Sequence, residues 1–180
     1  RVYALVFTMH HYMGCRTKEL LNLKWKHITI NPNESKWDKS TNRVVHIPAD
    51  NSKTGKSRDI IAPIAQQVKR LIRWYREMGL EIDERGDNYV FPRLTDTAKN
   101  ENVPTSDVAW TKRLRKVLAG AERDGVIDLR GRNITNYSAR HHYITEAIQR
   151  GVDIYDVALN AGTSLNYIEK TYSQCSLMMC

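Results

Sequence analysis

The chain has 180 residues, and its 28 lysines and arginines exceed its 20 aspartates and glutamates to give a formal net charge of +8. Hydrophobic residues make up 41% of it and the mean hydropathy is −0.56, which is typical of a folded globular protein rather than a disordered one. No run of 18 apolar residues occurs, so no membrane association is predicted, and the excess positive charge favours a polyanionic partner. A chain of this length usually forms one domain, so residues 1–180 are predicted to be a single unit.

Two residue types argue against metal and disulfide sites. Cys15, Cys175 and Cys180 are an odd set without Cys-x-x-Cys spacing, which indicates a reducing compartment rather than a disulfide framework or a zinc site. The pairs at 10–11 and 141–142 are adjacent histidines, and adjacent residues do not share a helix face. Neither a P-loop nor a G-x-G-x-x-G motif occurs. No metal and no cofactor are therefore predicted.

The first third of the chain predicts two helices followed by a small sheet. An apolar helix over residues 3–13 ends at Gly14, and Thr17 caps a second helix. Alternating apolar residues then predict short strands over residues 27–30, 43–48 and 58–63. Residues 51–56 contain Gly55 and are predicted to form the hairpin turn between the last two strands.

The remainder predicts helices. Apolar periodicity and capping residues predict one from Pro63 to Gly79, one capped by Ser106 with Trp110, Leu114, Val117 and Leu118 inward, one from Thr135 to Arg150, one over residues 153–161 ended by Gly162, and one capped by Ser164 with Leu165, Ile168 and Tyr172 on one face. The predicted fold class is therefore mainly α with a small antiparallel β-sheet (α+β).

Four short segments follow one another in a definite order along the chain. Residues 14–25 read Gly-Cys-Arg-Thr-Lys-Glu-Leu-Leu-Asn-Leu-Lys-Trp, residues 137–141 read Tyr-Ser-Ala-Arg-His, residues 161–164 read Ala-Gly-Thr-Ser, and residues 168–172 read Ile-Glu-Lys-Thr-Tyr. This order closely resembles the catalytic domain of the tyrosine recombinases, the phage integrase family. In that family a Gly-x-Arg-x-x-Glu-x-x-x-Leu-x-Trp stretch comes first. A His-x-x-Arg-His stretch and a Leu-Gly-His-Ser segment follow, with a nucleophilic tyrosine nine residues after the His of that segment. Thr163 and Tyr172 are also nine residues apart.

The resemblance implies a DNA breaking-rejoining fold and assigns catalytic roles. Arg16 and Arg140 would clamp the non-bridging oxygens of a phosphodiester, because guanidinium groups bind such oxygens bidentately and keep their charge. Tyr172 would attack phosphorus to give a covalent 3′-phosphotyrosine, without metal or ATP. A hairpin lysine would protonate the leaving 5′-oxygen, and Lys53 is preferred for this role over Lys56.

Two positions depart from the family pattern. Tyr137 stands where the family usually has the first His, and Thr163 stands where it usually has His or Trp. Both hydroxyls can donate a hydrogen bond to phosphate, but neither carries a proton at neutral pH. A general base at the first position is therefore in doubt. His141, next to Arg140, is predicted to brace the fold, and Glu19 to orient Arg16 or its helix.

Basic residues outside these segments predict DNA contacts, although a solvated helix face accounts equally well for any one cluster. The predicted DNA-binding residues are Lys56, Arg58, Lys112, Arg113, Arg115 and Lys116.

The resemblance leads to the hypothesis of a phage- or mobile-element-type integrase that cuts and rejoins specific double-stranded DNA sites. Its protomers would act as a tetramer in the DNA synapse and as monomers when free, in the host cytoplasm or nucleoid. Because Arg1 is not preceded by Met, we expect a catalytic domain whose N-terminal DNA-clamping domain is absent. Two alternatives stay open, which are a non-catalytic DNA-binding relative and a type IB topoisomerase-like nicking-closing enzyme.

Overall fold

The fold is taken from a computed structural model, which describes residues 2–29, 41–93 and 102–177. The helices in these ranges are α1 (Val2–Met13), α2 (Thr17–Leu21), α3 (Ala65–Glu77), α4 (Asp107–Arg123), α5 (Asn136–Gln149), α6 (Ile154–Ala161) and α7 (Leu165–Leu177). The strands are β1 (Ile28–Thr29), β2 (Arg43–Ile47) and β3 (Arg58–Ala62), and two 3₁₀ turns cover Trp25–His27 and Ala49–Asn51. The predicted fold class, mainly helical with a small antiparallel sheet, is confirmed.

The sheet has the order β1-β2-β3, and both pairings are antiparallel. Val45 lies opposite Ile28 on one side and Ile60 on the other, and Ile47 pairs with Arg58 at the end nearest the hairpin connection. Val45, Ile47 and Ile60 are buried, so one face of the sheet packs on the core, as the alternating sequence predicts.

The buried apolar residues of the described ranges form two hydrophobic clusters. The larger one joins α1, α2, the sheet and α3, with Trp25 and Tyr75 meeting edge to face at 6.4 Å between ring centroids. The smaller one joins α5, α6 and α7 through Ile144, Val157 and Ile168. Helix α1 contacts α5, and β3 contacts α6, so these two contacts connect the clusters.

Several predicted helix ends are confirmed, and two details were wrong. Ser106 accepts a hydrogen bond from the backbone N–H of Ala109, as an N-cap does. Thr17 is not the cap of α2: it is the first helical residue, and Arg16 holds the cap position. Val117 does not face inward but is 51% exposed, because Trp110 and Leu114 already cover the buried face of α4.

Among the described residues, no helix is both long and apolar enough to span a membrane.

Candidate active site

The turn between α1 and α2 can only be built with glycine at position 14. Gly14 has φ +59°, and a Cβ there would lie 2.0 Å from the Tyr143 ring of α5. Helix α5 therefore approaches the turn backbone closely. In this arrangement the carbonyl oxygen of Gly14 accepts a hydrogen bond from Nη1 of Arg140, at 2.9 Å. His10 of α1 also stabilises the turn, because its Nε2 donates to the carbonyl of Cys15 at 2.8 Å.

Arg16 is fixed on this turn by Glu19. The backbone N–H of Arg16 donates to Oε2 of Glu19 at 2.8 Å, and its Nη1 donates to Oε1 at 3.0 Å. The predicted orienting role of Glu19 toward Arg16 is therefore confirmed. Glu19 itself is only 1% exposed, so it is a buried carboxylate that needs cationic partners.

Arg58 is the second partner of Glu19. Its Nη2 and Nη1 donate to Oε2 and Oε1 of Glu19 at 2.7 and 3.2 Å, which is a two-point contact between the guanidinium and the carboxylate. The side chain of Arg58 is only 7% exposed. The residue predicted to contact DNA thus points inward from β3, where it supports the Arg16–Glu19 pair.

Three arginines converge on the C-terminal end of α6. Nε of Arg58 donates to the carbonyl of Asn160 at 3.2 Å, Nη1 of Arg140 donates to that of Ala161, and Nη2 of Arg16 donates to that of Gly162 at 2.7 Å. The last carbonyls of a helix have no partner within the helix and carry partial negative charge. Three consecutive carbonyls therefore hold three cations side by side, and we call this set the arginine cluster.

Gly162 makes this packing possible. It ends α6 in the left-handed conformation at φ +64°, and a Cβ there would lie 2.4 Å from Cζ of Arg58. Any side chain at this position would displace the guanidinium from Glu19.

Glu19 is the negative group that pairs with the cluster, where it binds Arg16 and Arg58. Burial raises the pKa of the Glu19 carboxyl, but hydrogen bonds from Arg58 and Arg16 outweigh it and leave that pKa below its ordinary value. Burial also lowers the pKa of Arg140, which is 1% exposed, although an arginine keeps its charge at neutral pH. A surplus of positive charge suits a bound anion such as a phosphate group.

Four side chains link the arginine cluster to α7. Cζ of Arg140 lies 5.9 Å from the centroid of the Tyr137 ring, which in turn meets the His141 ring edge to face at 4.9 Å. Nδ1 of His141 contacts the hydroxyl of Tyr172 within hydrogen-bond distance. Tyr137 is 42% exposed and Tyr172 is 5% exposed. Three successive contacts thus connect Arg140, Tyr137, His141 and Tyr172.

Thr163 is partly buried in the short connection between α6 and α7. Its backbone N–H donates to the carbonyl of Ala158 at 3.0 Å, which follows from the helix end at Gly162. It is therefore adjacent in the chain to the carbonyl that binds Arg16.

The hairpin lysines lie apart from the cluster. The connection between β2 and β3 begins with the turn at Ala49–Asn51 and is longer than predicted, and Nδ2 of Asn51 donates to the carbonyl of Glu19 at 2.9 Å. Beyond it, residues 53–57 are all exposed, and we call them the hairpin tip. Lys53 and Lys56 lie in this tip and form no ion pair or hydrogen bond with another residue in the described ranges.

The basic cluster of α4 lies on a separate surface. The side chains of Lys112, Arg113, Arg115 and Lys116 are exposed on this helix, whose opposite face is buried. Its position is compatible with the prediction that it contacts DNA, which stays a prediction.

A histidine cluster forms between α1 and α5, across helices rather than between adjacent residues. His11 stacks on His142 at 4.8 Å between centroids, and its Nε2 lies 3.4 Å from Oε2 of Glu146. The possible ligand atoms of these three residues lie within 4.8 Å of one another. Glu146 already pairs with Arg150, whose charge opposes a cation there. Ring stacking and ion pairing account for this cluster without an ion.

Sequence reasoning missed three parts of the site. These are the second partner of Glu19, the α6 carbonyls and the contact of His141 with Tyr172. The available signals were the Glu three residues after Arg16 and the helix-ending Gly162, but neither tells which distant side chains they meet. The resemblance located Arg16, Arg140 and Tyr172, and the structure places Arg16 and Arg140 on adjacent carbonyls.

Comparison with known proteins gives consistent matches. The sequence profile of the phage integrase family matches residues 2–173. No curated protein sequence matches significantly. Among solved structures, the XerH site-specific recombinase bound to its difH substrate is similar with a TM-score of 0.66 and 20% identity over 93% of this chain. The Tn1549 transposon integrase in complex with circular intermediate DNA has a TM-score of 0.63 and 17% identity over 99%, and the XerA recombinase 0.61 and 16% over 96%.

These structures are longer than the present chain, which covers 41% of the XerH chain and 56% of each of the other two. At such identities the structural likeness shows a shared fold, that of tyrosine recombinases.

Proposed function

The chain belongs to the phage integrase family, and on that premise we propose that it is a tyrosine-type site-specific DNA recombinase. It cleaves and rejoins DNA through a covalent 3′-phosphotyrosine intermediate. The observation that carries this proposal is the arginine cluster, in which Arg16 and Arg140 are bound to adjacent carbonyls of one helix end.

The two arginines would bind the non-bridging oxygens of the scissile phosphate. Negative charge builds up on these oxygens as phosphorus becomes five-coordinate, and fixed guanidinium groups stabilise that state more than the starting diester. Their positions are set by main-chain contacts and by Glu19, so little reorganisation is needed when DNA binds. Arg58 serves as a positioning residue for Arg16 through Glu19, in place of the DNA contact expected from its sequence.

Tyr172 is the proposed nucleophile, and a hairpin lysine is the proposed acid. The Tyr172 oxygen attacks phosphorus, the P–O5′ bond breaks, and the 5′-oxygen takes a proton from Lys53, or from Lys56 as the second choice. Both lysines lie in the exposed hairpin tip, from which a flexible side chain can reach a bound backbone. Tyr137 and Thr163 would donate hydrogen bonds to the phosphate through their hydroxyl groups.

The proposed partner is double-stranded DNA. XerH and the Tn1549 integrase were crystallised with DNA substrates, and this chain offers Lys112, Arg113, Arg115 and Lys116 on the exposed face of α4. Phosphate contacts by such residues make binding fall steeply with salt. We further propose that the chain acts as a single catalytic domain of a longer protein, as a tetramer on two DNA sites, and in the host cytoplasm or nucleoid.

Covalent capture tests this proposal. The chain is incubated with a pool of nicked duplexes whose central sequence is randomised, and SDS-resistant protein–DNA adducts are isolated and their DNA sequenced. We expect adducts enriched in one sequence with the wild type and none with Tyr172→Phe. EDTA should not reduce the yield, because no metal takes part in the proposed step.

The same assay decides between the alternatives. A protein that retains one sequence but forms no adduct is a non-catalytic DNA-binding relative. A topoisomerase-like enzyme would form adducts without sequence enrichment and would relax supercoiled DNA.

A further inference from the structure

Attack by Tyr172 requires an acceptor for its phenolic proton. An unperturbed phenol has a pKa near 10, so at neutral pH the proton must leave as the bond to phosphorus forms. The first motif position that would supply a base in the family pattern is Tyr137 in this chain, and Thr163 occupies the later one. Neither side chain accepts a proton at neutral pH.

The nearest proton acceptor described is His141. Its Nδ1 lies at hydrogen-bond distance from the hydroxyl of Tyr172, and the two ring centroids are 5.6 Å apart. His141 follows Arg140 directly on α5, so the imidazole is anchored on the helix that also carries a member of the arginine cluster. An acceptor must lie within hydrogen-bond reach of the proton it takes, and His141 meets this condition.

The surroundings keep His141 neutral. Burial lowers the pKa of the imidazole, and the positive charge of Arg140 lowers it further. The other titratable groups that face it in the described ranges are two phenols, Tyr137 on the same helix and Tyr172 on α7. A neutral imidazole with its hydrogen on Nε2 presents the Nδ1 lone pair to the Tyr172 hydroxyl.

We propose that His141 is the general base of this enzyme, in the place that Tyr137 has vacated. The inference rests on the proposed function, since it names the proton acceptor for the same nucleophile. During cleavage the Tyr172 oxygen forms a bond to phosphorus while its proton moves to Nδ1 of His141. The P–O5′ bond breaks, and the 5′-oxygen takes a proton from the hairpin lysine. During religation the 5′-hydroxyl returns its proton to the lysine, and His141 returns its proton to the phenolate of Tyr172.

His141→Asn separates the base role from a merely structural one. The amide oxygen of asparagine can accept the hydrogen bond from Tyr172 near the position of Nδ1, but it cannot take up the proton. We expect adduct formation at pH 7 on the captured sequence to fall by about 100-fold, with an unchanged thermal midpoint. His142→Asn is the matched control, because His142 is the next residue of the same helix and is exposed. It should leave the rate unchanged.

The pH profile provides a signature that a bracing residue would not move. In the wild type the rate should fall on acidification as His141 takes up a proton, at a pH below the ordinary 6.5 because its pKa is lowered. His141→Asn should lose this acid limb. An Asn variant that keeps both the wild-type rate and the acid limb would overturn the proposal.

A second measurement does not need DNA. In protein labelled with ¹³Cζ-tyrosine, the Tyr172 signal is assigned by its loss in Tyr172→Phe. It should shift as His141 titrates in the wild type and should not do so in His141→Asn. Absence of this shift in the wild type would overturn the inference whether or not adducts form. A wild type that shows the shift but forms no adduct would instead contradict the proposed function.

Discussion

Two neighbouring parts of the β2–β3 hairpin, the start of β3 and the hairpin tip, place positive charge in opposite ways. At the strand end, Arg58 is 7% exposed and donates to Glu19 and to the carbonyl of Asn160. At the hairpin tip, Lys53 and Lys56 are exposed, and they form no ion pair with another described residue. Yet Arg58 is only five positions after Lys53 in the chain.

The folded protein fixes the positions of the arginine side chains, whereas the lysine side chains of the hairpin tip become fixed only when a ligand binds. The arginine cluster is held by a buried carboxylate and three helix carbonyls, so its geometry exists before any ligand binds. A lysine at the tip loses side-chain freedom only when a phosphate binds it, and that cost falls on the binding step. Substitutions in the arginine cluster should therefore change the free energy of unfolding clearly, and substitutions in the hairpin tip should change it little.

The largest effect is expected for Glu19→Gln. The change keeps the size of the side chain but leaves two poorly exposed arginines without their negative partner. Loss of one member of a buried ion pair costs about 3–5 kcal/mol. Urea unfolding at pH 7 measures the change in the free energy of unfolding.

Glu84→Gln is the control for Glu19→Gln, because Glu84 pairs with Arg76 between two exposed side chains at 3.5 Å. Such a pair contributes less than about 1 kcal/mol. The folded pKa of Glu19 is lowered, so its contribution is present above the unfolded value of 4.5 and is lost as the pH falls through the folded pKa. The difference between wild type and Glu19→Gln should narrow there. Equal effects of both variants would mean that the arginine cluster is not buried.

Gly162→Ala and Gly55→Ala compare the arginine cluster with the hairpin tip at matched backbone geometry. Both glycines have positive φ, +64° and +67°, so alanine costs about 1–2 kcal/mol of strain at either position. A Cβ at Gly55 meets nothing within 4 Å, whereas one at Gly162 lies 2.4 Å from Cζ of Arg58. Gly162→Ala should therefore be more destabilising, by a further ~1–2 kcal/mol, and should reduce adduct formation. Equal thermal midpoints would contradict the close packing.

A third test uses pH on the turn that carries Arg16. Burial lowers the pKa of His10 to about 4, although its hydrogen bond to Cys15 raises it somewhat. The unfolded imidazole binds a proton near 6.5 and the folded one only near 4, so stability rises with pH across this interval.

This group alone should make the protein about 2 kcal/mol less stable at pH 5 than at pH 7.5. The slope of unfolding free energy against pH should decrease in His10→Gln. An unchanged slope would show that His10 is not buried as a neutral group.

The smallest effect on stability is expected for Lys53→Ala. An exposed residue without described partners should change the unfolding free energy by less than about 0.5 kcal/mol. Adduct formation should nevertheless fall strongly, and a 5′-sulfur leaving group, which needs no proton, should restore it. If Lys56→Ala is rescued and Lys53→Ala is not, then Lys56 is the acid.

The local parts of the fold could be predicted from the sequence because local signals determine them. Gly14 and Gly162 end helices and Ser106 caps α4, as predicted, and both glycines have positive φ. The cap of α2 was wrong by one residue, since Arg16 uses its backbone N–H and the Glu19 carboxylate instead of a Thr17 hydroxyl. Motif order predicted Arg16 and Arg140 as site residues, and the structure places both on adjacent carbonyls.

The contacts that join distant segments could not be predicted. Glu19 and Arg58 are 39 positions apart, and Tyr172 and His141 are 31 apart. Periodicity says which face of a helix or strand is buried, but not which element covers it. The sequence therefore predicted a DNA contact for Arg58. A hairpin rich in lysine and arginine is expected to be exposed along its whole length, and only the position of α6 shows that the side chain of Arg58 is buried.

The support of the arginine cluster by main-chain carbonyls has a consequence for tolerance to sequence change. A carbonyl oxygen is present whatever side chain a residue carries, so the half-buried position 160 can vary without removing this acceptor. Selection then acts on the path of the α6 backbone and on the absence of a side chain at Gly162. We expect a saturation library over residues 159–163 to tolerate most non-proline residues at 160 and to reject nearly all at 162.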